Sequence, residues 1–363
     1  MRPRRAARTG RAEGASRFGA KDIAMPTQAH TADLWKAADG GAVDCFLCAH
    51  RCHIALGARG VCRVRENQGG TLATLVYGRV IARHVDPIEK KPLFHFLPGS
   101  TAYSIATAGC NFQCGFCQNW QISQWPRQGR GEMPGETVDP ADVVAEALRS
   151  GCASISYTYT EPTIFFEYAR DVAVLARDAG LRNTFVTNGF MTAEALDETA
   201  GWLDAANVDL KAWQDAFYRK VCKARLEPVK ESIVRMHARG IAVEVTTLLV
   251  PGQNTDPADL TGIAEFLASV SVDLPWHVTR FHPDYQDQET PATPAETMEQ
   301  AIAIGRGAGL RYVYAGNIAG SQDTVCPSCG AAVIERRGMG VSRTRLRGSA
   351  CGGCGAQLPL VVA

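Results

Sequence analysis

Several things are missing from this 363-residue chain, and each absence narrows what it can be. Net charge is nearly absent: 38 Lys and Arg face 37 Asp and Glu. No global field draws the chain onto nucleic acid or an anionic membrane, so partners must be sought at local sites. No apolar run approaches the roughly 18 residues of a membrane span, and no basic head leads into an apolar core of the secretory kind. A cytoplasmic protein is expected. In a compartment that keeps thiols reduced, the 13 cysteines point to metals rather than disulfides. What is present in ordinary amounts, 46% hydrophobic residues, 35 Gly and 18 Pro, allows one large domain with small appendages.

The first stretch, residues 1–30, beginning MRPRRAARTGR, is rich in Arg and Gly and poor in apolar residues. It reads as a disordered basic tail; Glu13 and Asp22 argue against a transit peptide, and Met25 is an alternative start. From Ala102 to about Asn317, strand-like runs alternate with helical ones: YSIATA, ASISYTY, NTFVTN, ANVDL, VEVTTLLV, HVTRF and YVYAG are the strands. Helices are expected from Asp139 as N-cap and Pro140 at the first position to a stop at Gly151, and over PTIFFEYARDVAVLARDAG and VKESIVRMHARG. Six or seven βα units predict an α/β fold with a full or partial (β/α)8-type barrel; an open doubly wound sheet is the alternative.

In a βα barrel the chemistry sits at the C-terminal ends of the strands. Polar groups follow strand after strand here: Cys110, Cys114 and Cys117, then Thr160 and Glu161, Thr187 and Asn188, Asp209 and Lys211, Thr246 and Thr247, and His282. The three cysteines form C-x3-C-x2-C within AGCNFQCGFCQNWQ, one thiolate short of a closed zinc site or a fully ligated cubane. Three thiolates leave one iron of a four-iron cluster open, and an open coordination position is where a substrate or cofactor binds.

The loop Cys110-Asn-Phe-Gln-Cys114-Gly-Phe116-Cys117 resembles the signature of the radical S-adenosylmethionine (SAM) superfamily. The resemblance covers roughly residues 100–320. It implies a partial (β/α)6-type TIM barrel, a 4Fe–4S cluster on the three cysteines, and S-adenosylmethionine chelating the open iron. It also implies reductive cleavage to methionine and a 5′-deoxyadenosyl radical that abstracts hydrogen, with an electron donor such as flavodoxin or ferredoxin. NVDLKAW, TNG and LLVPGQN are similar to activase-like members, of the pyruvate formate-lyase activating type. DPIEKKPLFHFLPGS and YTYTEPTIFFEY resemble the AmmeMemoRadiSam system radical enzymes more closely still, which implies Memo-like and AMMECR-like partner proteins and a protein or small-molecule substrate. Phe116, Glu161, Asn188, Asp209, Lys211 and His282 are then the expected cofactor-binding residues. Glu161 stands where activases carry Gly-Gly-Glu, with Tyr159 and Thr160 in place of the glycines. Lys211 also reads as a solvated residue after a strand. A glycyl-radical activase is the alternative function, and a non-catalytic iron–sulfur binding or electron-transfer protein a further one; the missing fourth cysteine argues against the latter.

Two further cysteine groups flank the barrel. Cys45, Cys48, Cys52 and Cys62, four thiolates in 18 residues, read as one closed site for zinc or an auxiliary cluster, within a lead-in module over residues 31–99. His50 and His53 are spare ligand candidates or surface residues, and Arg51, Arg59, Arg63 and Arg65 would stabilise thiolates or an acidic partner. Cys326, Cys329, Cys351 and Cys354, two C-x2-C knuckles, predict a Zn2+ ribbon over residues 321–363, with AAVIER and TRLRG pairing between the knuckles. Cys152 and Cys222 read as buried small hydrophobes, and Trp35, Trp120, Trp125 and Trp202 as core. Lys90, Lys91 and His95 lie on a segment that either crosses the barrel mouth or clamps two domains together.

Overall fold

The computed structural model describes residues 30–129, 132–318 and 322–362; apart from His30, the expected basic tail lies outside them. Its centre is a sheet whose strands are β1 (Arg79–Pro87), β2 (Thr101–Thr107), β3 (Ser154–Tyr157), β4 (Arg182–Thr187), β5 (Ala205–Asp209), β6 (Ala242–Leu249), β7 (Trp276–Arg280) and β8 (Val313–Gly316). Strands β2 to β8 are parallel and stand in sequence order. β1 is antiparallel beside β2, and Glu136–Thr137 pairs with its outer edge. All seven expected strands are present. Their order never reverses, whereas a doubly wound sheet has a switch point where it must, so that alternative is set aside.

A helix of five residues or more follows each of the parallel strands up to β7: α1 (Pro140–Arg149), α2 (Phe166–Asp178), α3 (Ala193–Asp197), α4 (Glu227–Ala238), α5 (Pro257–Val270) and α6 (Ala295–Gly307). The local causes are readable. Asp139 caps α1 by accepting from the Ala141 N–H at 2.9 Å, with Pro140 at the first position where no N–H is needed. Asp256 and Pro257 repeat the device on α5. Helix α2 buries Phe166, Ala169, Val172, Ala173 and Ala176 at helical spacing, and fully burying a side chain the size of Val172 contributes about 1.5–3 kcal/mol. Among the described residues no helix is long and apolar enough to cross a membrane.

The N-terminal residues form two small antiparallel sheets, one of them carrying Cys45. They pack on the ends of β2 and β4: the Thr192 hydroxyl donates to Phe46 O at 2.7 Å, and Cys48 bridges to Met191. The C-terminal sheet docks at the opposite end of the parallel strands. There His95 N donates to Glu244 at 2.7 Å, His277 meets the same carboxylate at 2.7 Å, and the His95 ring meets Tyr314 at 2.8 Å. Arg336 reaches in from the C-terminal sheet to Phe94 O at 2.6 Å, within 3.6 Å of Glu89. The segment with Lys91 and His95 therefore does not cross the mouth. It lies at the N-terminal ends of the strands because Asp86 is paired with Ala102, near the start of β2, and it clamps the C-terminal residues through Leu97 N to Val361 O at 2.7 Å.

Candidate functional site

The cluster loop leaves β2 through Gly109, whose φ of +110° suits glycine alone and whose missing Cβ would lie 2.8 Å from Val64. This close approach seats the N-terminal module on the loop. Cys110 and Cys117 are partly exposed and Cys114 is buried. Phe112 N donates to Cys110 Sγ at 3.3 Å, Cys117 Sγ meets the Ser123 hydroxyl at 3.3 Å, and the Asn188 amide reaches both Cys110 Sγ at 3.8 Å and Asn111 Oδ1 at 2.7 Å. Burial, and then the Glu161 charge, pushes the Cys110 thiol well up; the neighbouring Cys222 thiol, and then burial, does the same to Cys114.

Glu161 follows β3 and is 2% exposed. Its Oε1 accepts from Thr163 N at 3.0 Å and from the Thr163 and Thr187 hydroxyls at 2.6 and 2.7 Å, while Oε2 accepts from Asn188 N at 2.8 Å. The carboxylate thus ties the end of β3 to the end of β4, leaving acceptor capacity on Oε2. Gly189, at φ +67°, closes this turn where a Cβ would meet Val208 at 2.7 Å. From β5, Lys211 donates to Asp209 at 2.7 Å; burial alone would lower its pKa, but Asp209 and the thiols of Cys114 and Cys222 hold it well above the usual value. Its side chain is 14% exposed and 5.9 Å from the centroid of the buried Phe116 ring. The reading of Lys211 as solvated does not hold.

Of the expected residues, Cys110, Cys114, Cys117, Phe116, Glu161, Asn188, Asp209 and Lys211 come together around one mouth. His282 is exposed just past β7. Its loop does reach the mouth, through Gln286 N to Gly115 O at 2.9 Å and Tyr285 stacked on Trp120. Thr246 and Thr247 fall inside β6 and bond to Asn207 and Leu210 O. Three residues escaped the sequence reading, Asn111, Ser123 and Arg127, while Cys222 is buried as expected but lies against Cys114. Cys222 lies in a π-helical turn, Tyr218–Cys222, and its carbonyl accepts from Gln113 N at 3.0 Å. Nothing local in the sequence distinguishes it from a core cysteine. Asn111 is fully buried and its Nδ2 finds no partner among the described residues, as fits a loop built around a further group.

The model of the radical SAM superfamily matches residues 104–266. Uncharacterized protein MJ0808 of Methanocaldococcus jannaschii is 45% identical over 306 residues, 84% of this chain and 90% of that one. The chain belongs to the radical SAM superfamily. Membership implies a 4Fe–4S cluster and S-adenosylmethionine, and the matched segment contains the whole cluster loop. Uncharacterized protein MJ0674 of the same organism is 23% identical over 288 residues, covering 75% of this chain and 77% of its own. A radical SAM methyltransferase of Sphaerobacter thermophilus, 18% identical, aligns over 61% of this chain and 67% of its own with a TM-score of 0.48. A domain of a pyruvate-formate lyase-activating enzyme of Bacteroides vulgatus, 22% identical, aligns over 46% and 99%, with a TM-score of 0.40.

Outside the radical SAM segment, Cys326, Cys329, Cys351 and Cys354 bring their four sulfurs within 4.8 Å of one another, with Cys326 to Cys354 and Cys329 to Cys351 both 3.7 Å apart. Each knuckle turns on a glycine: Gly330 N returns to Cys326 O and Gly355 N to Cys351 O. Ala332–Arg337 pairs with Gly340–Thr344, but Leu346–Arg347 turns back on Ala350–Cys351, so the expected pairing of AAVIER with TRLRG holds only at its Thr344 end. His53 is exposed and bonded to Asp44, as a surface residue should be, whereas His50 is half-buried against Asn111 O at 2.9 Å.

Proposed function

We propose that the chain is a radical S-adenosylmethionine enzyme in which Cys110, Cys114 and Cys117 hold the cluster. The observation that carries this reading is the three-thiol loop at the end of β2, faced by polar side chains from β3, β4 and β5 and lacking a fourth cysteine within the loop. With S-adenosylmethionine bound, that cofactor pair supplies a 5′-deoxyadenosyl radical able to take hydrogen from a protein or small molecule. The residues then divide the work of holding it. Asn188 and Asn111 position Cys110 by hydrogen bonds. Glu161 Oε2 retains room for the cofactor's ammonium, and Lys211, anchored by Asp209, presents a cation of the kind that suits a carboxylate. Phe116 and the Tyr285–Trp120 stack wall the mouth against water, with His282 at its rim.

The seven-stranded parallel sheet is read as a partial barrel of the (β/α)6 type with one added strand, spanning residues 100–320. It lies between an N-terminal four-cysteine module over 31–99 and a zinc ribbon over 321–363. Sulfurs 3.7 Å apart suit tetrahedral Zn2+, whose Zn–S bonds of about 2.3 Å require edges of about 3.8 Å. Membership of an AmmeMemoRadiSam system, with Memo-like and AMMECR-like partners, rests on the resemblance of DPIEKKPLFHFLPGS and YTYTEPTIFFEY, two stretches that also meet in the fold. Asp86 and Lys91 of one bond to each other at 2.6 Å and both bond to Tyr159 of the other. Tyr159 has a φ of 61°, the kind of strained conformation that clusters at functional sites.

The test is anaerobic: reconstitute and reduce the protein, then quantify 5′-deoxyadenosine formed from S-adenosylmethionine by the wild type and by Cys114→Ala. Product that depends on Cys114 supports the reading. A fully loaded wild type that gives no more product than the variant, and whose reduced-cluster spectrum does not change on adding S-adenosylmethionine, rules it out.

A further inference from the structure

The three cysteine groups are built to two gauges. In the C-terminal quartet all four sulfurs fall within 4.8 Å of one another, and among the described residues no other group of three or more Cys, His, Asp or Glu ligand atoms does so. Cys45, Cys48, Cys52 and Cys62 therefore stand further apart than one zinc ion allows. They nevertheless face one another: Cys45 N donates to Cys52 O at 2.9 Å, and Arg65, three residues past Cys62, reaches Cys45 Sγ at 3.5 Å. Cys110, Cys114 and Cys117 share this wider gauge. A cubane interposes its irons between the thiolates and sets them further apart than a single zinc ion does.

The surroundings fit the larger group. Cys45, Cys48 and Cys62 are buried among Val43, Ile54 and Val64. Arg65, 1% exposed, donates from Nη1 to Cys45 Sγ at 3.5 Å and pairs through Nη2 with the equally buried Glu167, which holds a cation against the thiol group.

The quartet also stands back to back with the cofactor loop. One guanidinium nitrogen, Arg127 Nη2, donates to both Val61 O, next to Cys62, and Cys110 O, each at 2.9 Å. His50, two residues past Cys48, meets Asn111 O at 2.9 Å.

We infer that Cys45, Cys48, Cys52 and Cys62 bind a 4Fe–4S cluster rather than zinc, placed directly beside the site at Cys110, Cys114 and Cys117. This half-buried neighbour is an electron entry point. A low-potential one-electron carrier reduces it from the 2+ to the 1+ state, and it returns to 2+ as the cluster beside it goes from 2+ to 1+; no bond or proton is exchanged. The neighbour's identity as a cluster rests on the function proposed above, but the metal content of the quartet does not.

The full chain carrying Cys110→Ala, Cys114→Ala and Cys117→Ala together, reconstituted anaerobically with ferrous iron and sulfide in the presence of zinc, is expected to keep about four irons and four sulfides, with about one zinc. About two zincs and no iron would overturn the inference. Should that variant not fold, Cys45→Ser with Cys62→Ser in the otherwise intact chain gives the converse: iron falls by about four with zinc unchanged, whereas zinc falling by one with iron unchanged overturns it. In the reduced wild type, the paramagnetic resonance signal should show splitting absent from both variants. A signal equal to the sum of the two variants would refute the adjacency.

Discussion

Glu161→Gln tests the tie between β3 and β4 most directly. The carboxylate accepts four hydrogen bonds from three residues while 2% exposed. Glutamine keeps the shape but turns one oxygen into a donor, and with three donors crowding Oε1 the NH2 goes to the Oε2 side, facing Asn188 N–H. Losing that charge-assisted bond costs about 1.5–3 kcal/mol, and the orphaned amide about 1–3 more. Part is offset because the buried charge is itself unfavourable, burial being what raises the Glu161 pKa most. A net destabilisation of about 2–3 kcal/mol follows. Since Asn188 carries the amide that holds Cys110 and Asn111, affinity for S-adenosylmethionine should fall on the order of tenfold. Urea unfolding and equilibrium binding, both on the reconstituted protein, measure the two effects. A glutamine variant with wild-type stability and affinity would refute the argument, as would a Thr187→Val variant, which removes only one hydroxyl donor, proving the more damaging.

Burial pushes the His95 pKa down to about 4, so the folded state holds it neutral while the unfolded chain takes up a proton below pH 6.5. Its contribution is intact above pH 6.5 and is lost as the pH falls towards 4; about 2 kcal/mol should be gone by pH 5, and His95→Gln should flatten that part of a stability-against-pH curve. Gly109→Ala forces a side chain into φ +110° and against Val64, costing about 1–3 kcal/mol from the backbone alone. Adding Val64→Ala should recover the clash but not the backbone strain, and full recovery in a denaturation titration would contradict this. Stripping the C-terminal quartet with a strong chelator should open the chain to protease around the exposed Met339 while the parallel sheet and its helices stay resistant. Unchanged protection in metal-free protein would show that the small core of Val333, Ile334, Leu358 and Leu360 suffices.

Where one turn of chain decides the outcome, the sequence could be read. Asp139–Pro140, the glycine stops and the seven apolar runs are local signals, and strands alternating with helices leave few topologies open. The cysteine spacings identified three groups for the same reason. What could not be read depends on chain segments far apart in sequence. Lys211 looks solvated until Asp209, Phe116 and Cys114 close around it. His95 lies just ahead of the first parallel strand, and only the docking of Pro359–Val361 and Tyr314 shows which end of the sheet it serves. Cys222 and Arg127 have no motif, because their roles come from what faces them. The gauge of a cysteine group is likewise a distance between side chains, which spacing along the chain does not encode.

The placing of the C-terminal sheet has a consequence for synthesis. The parallel strands add one beside the next in the order in which they leave the ribosome, but Glu89, His95 and Glu244 are sealed only when Arg336 and Val361 arrive. A chain released early would leave a charged, water-facing seam where the finished protein has a closed one. The C-terminal sheet thus closes that end of the parallel sheet only after every strand it covers has been made.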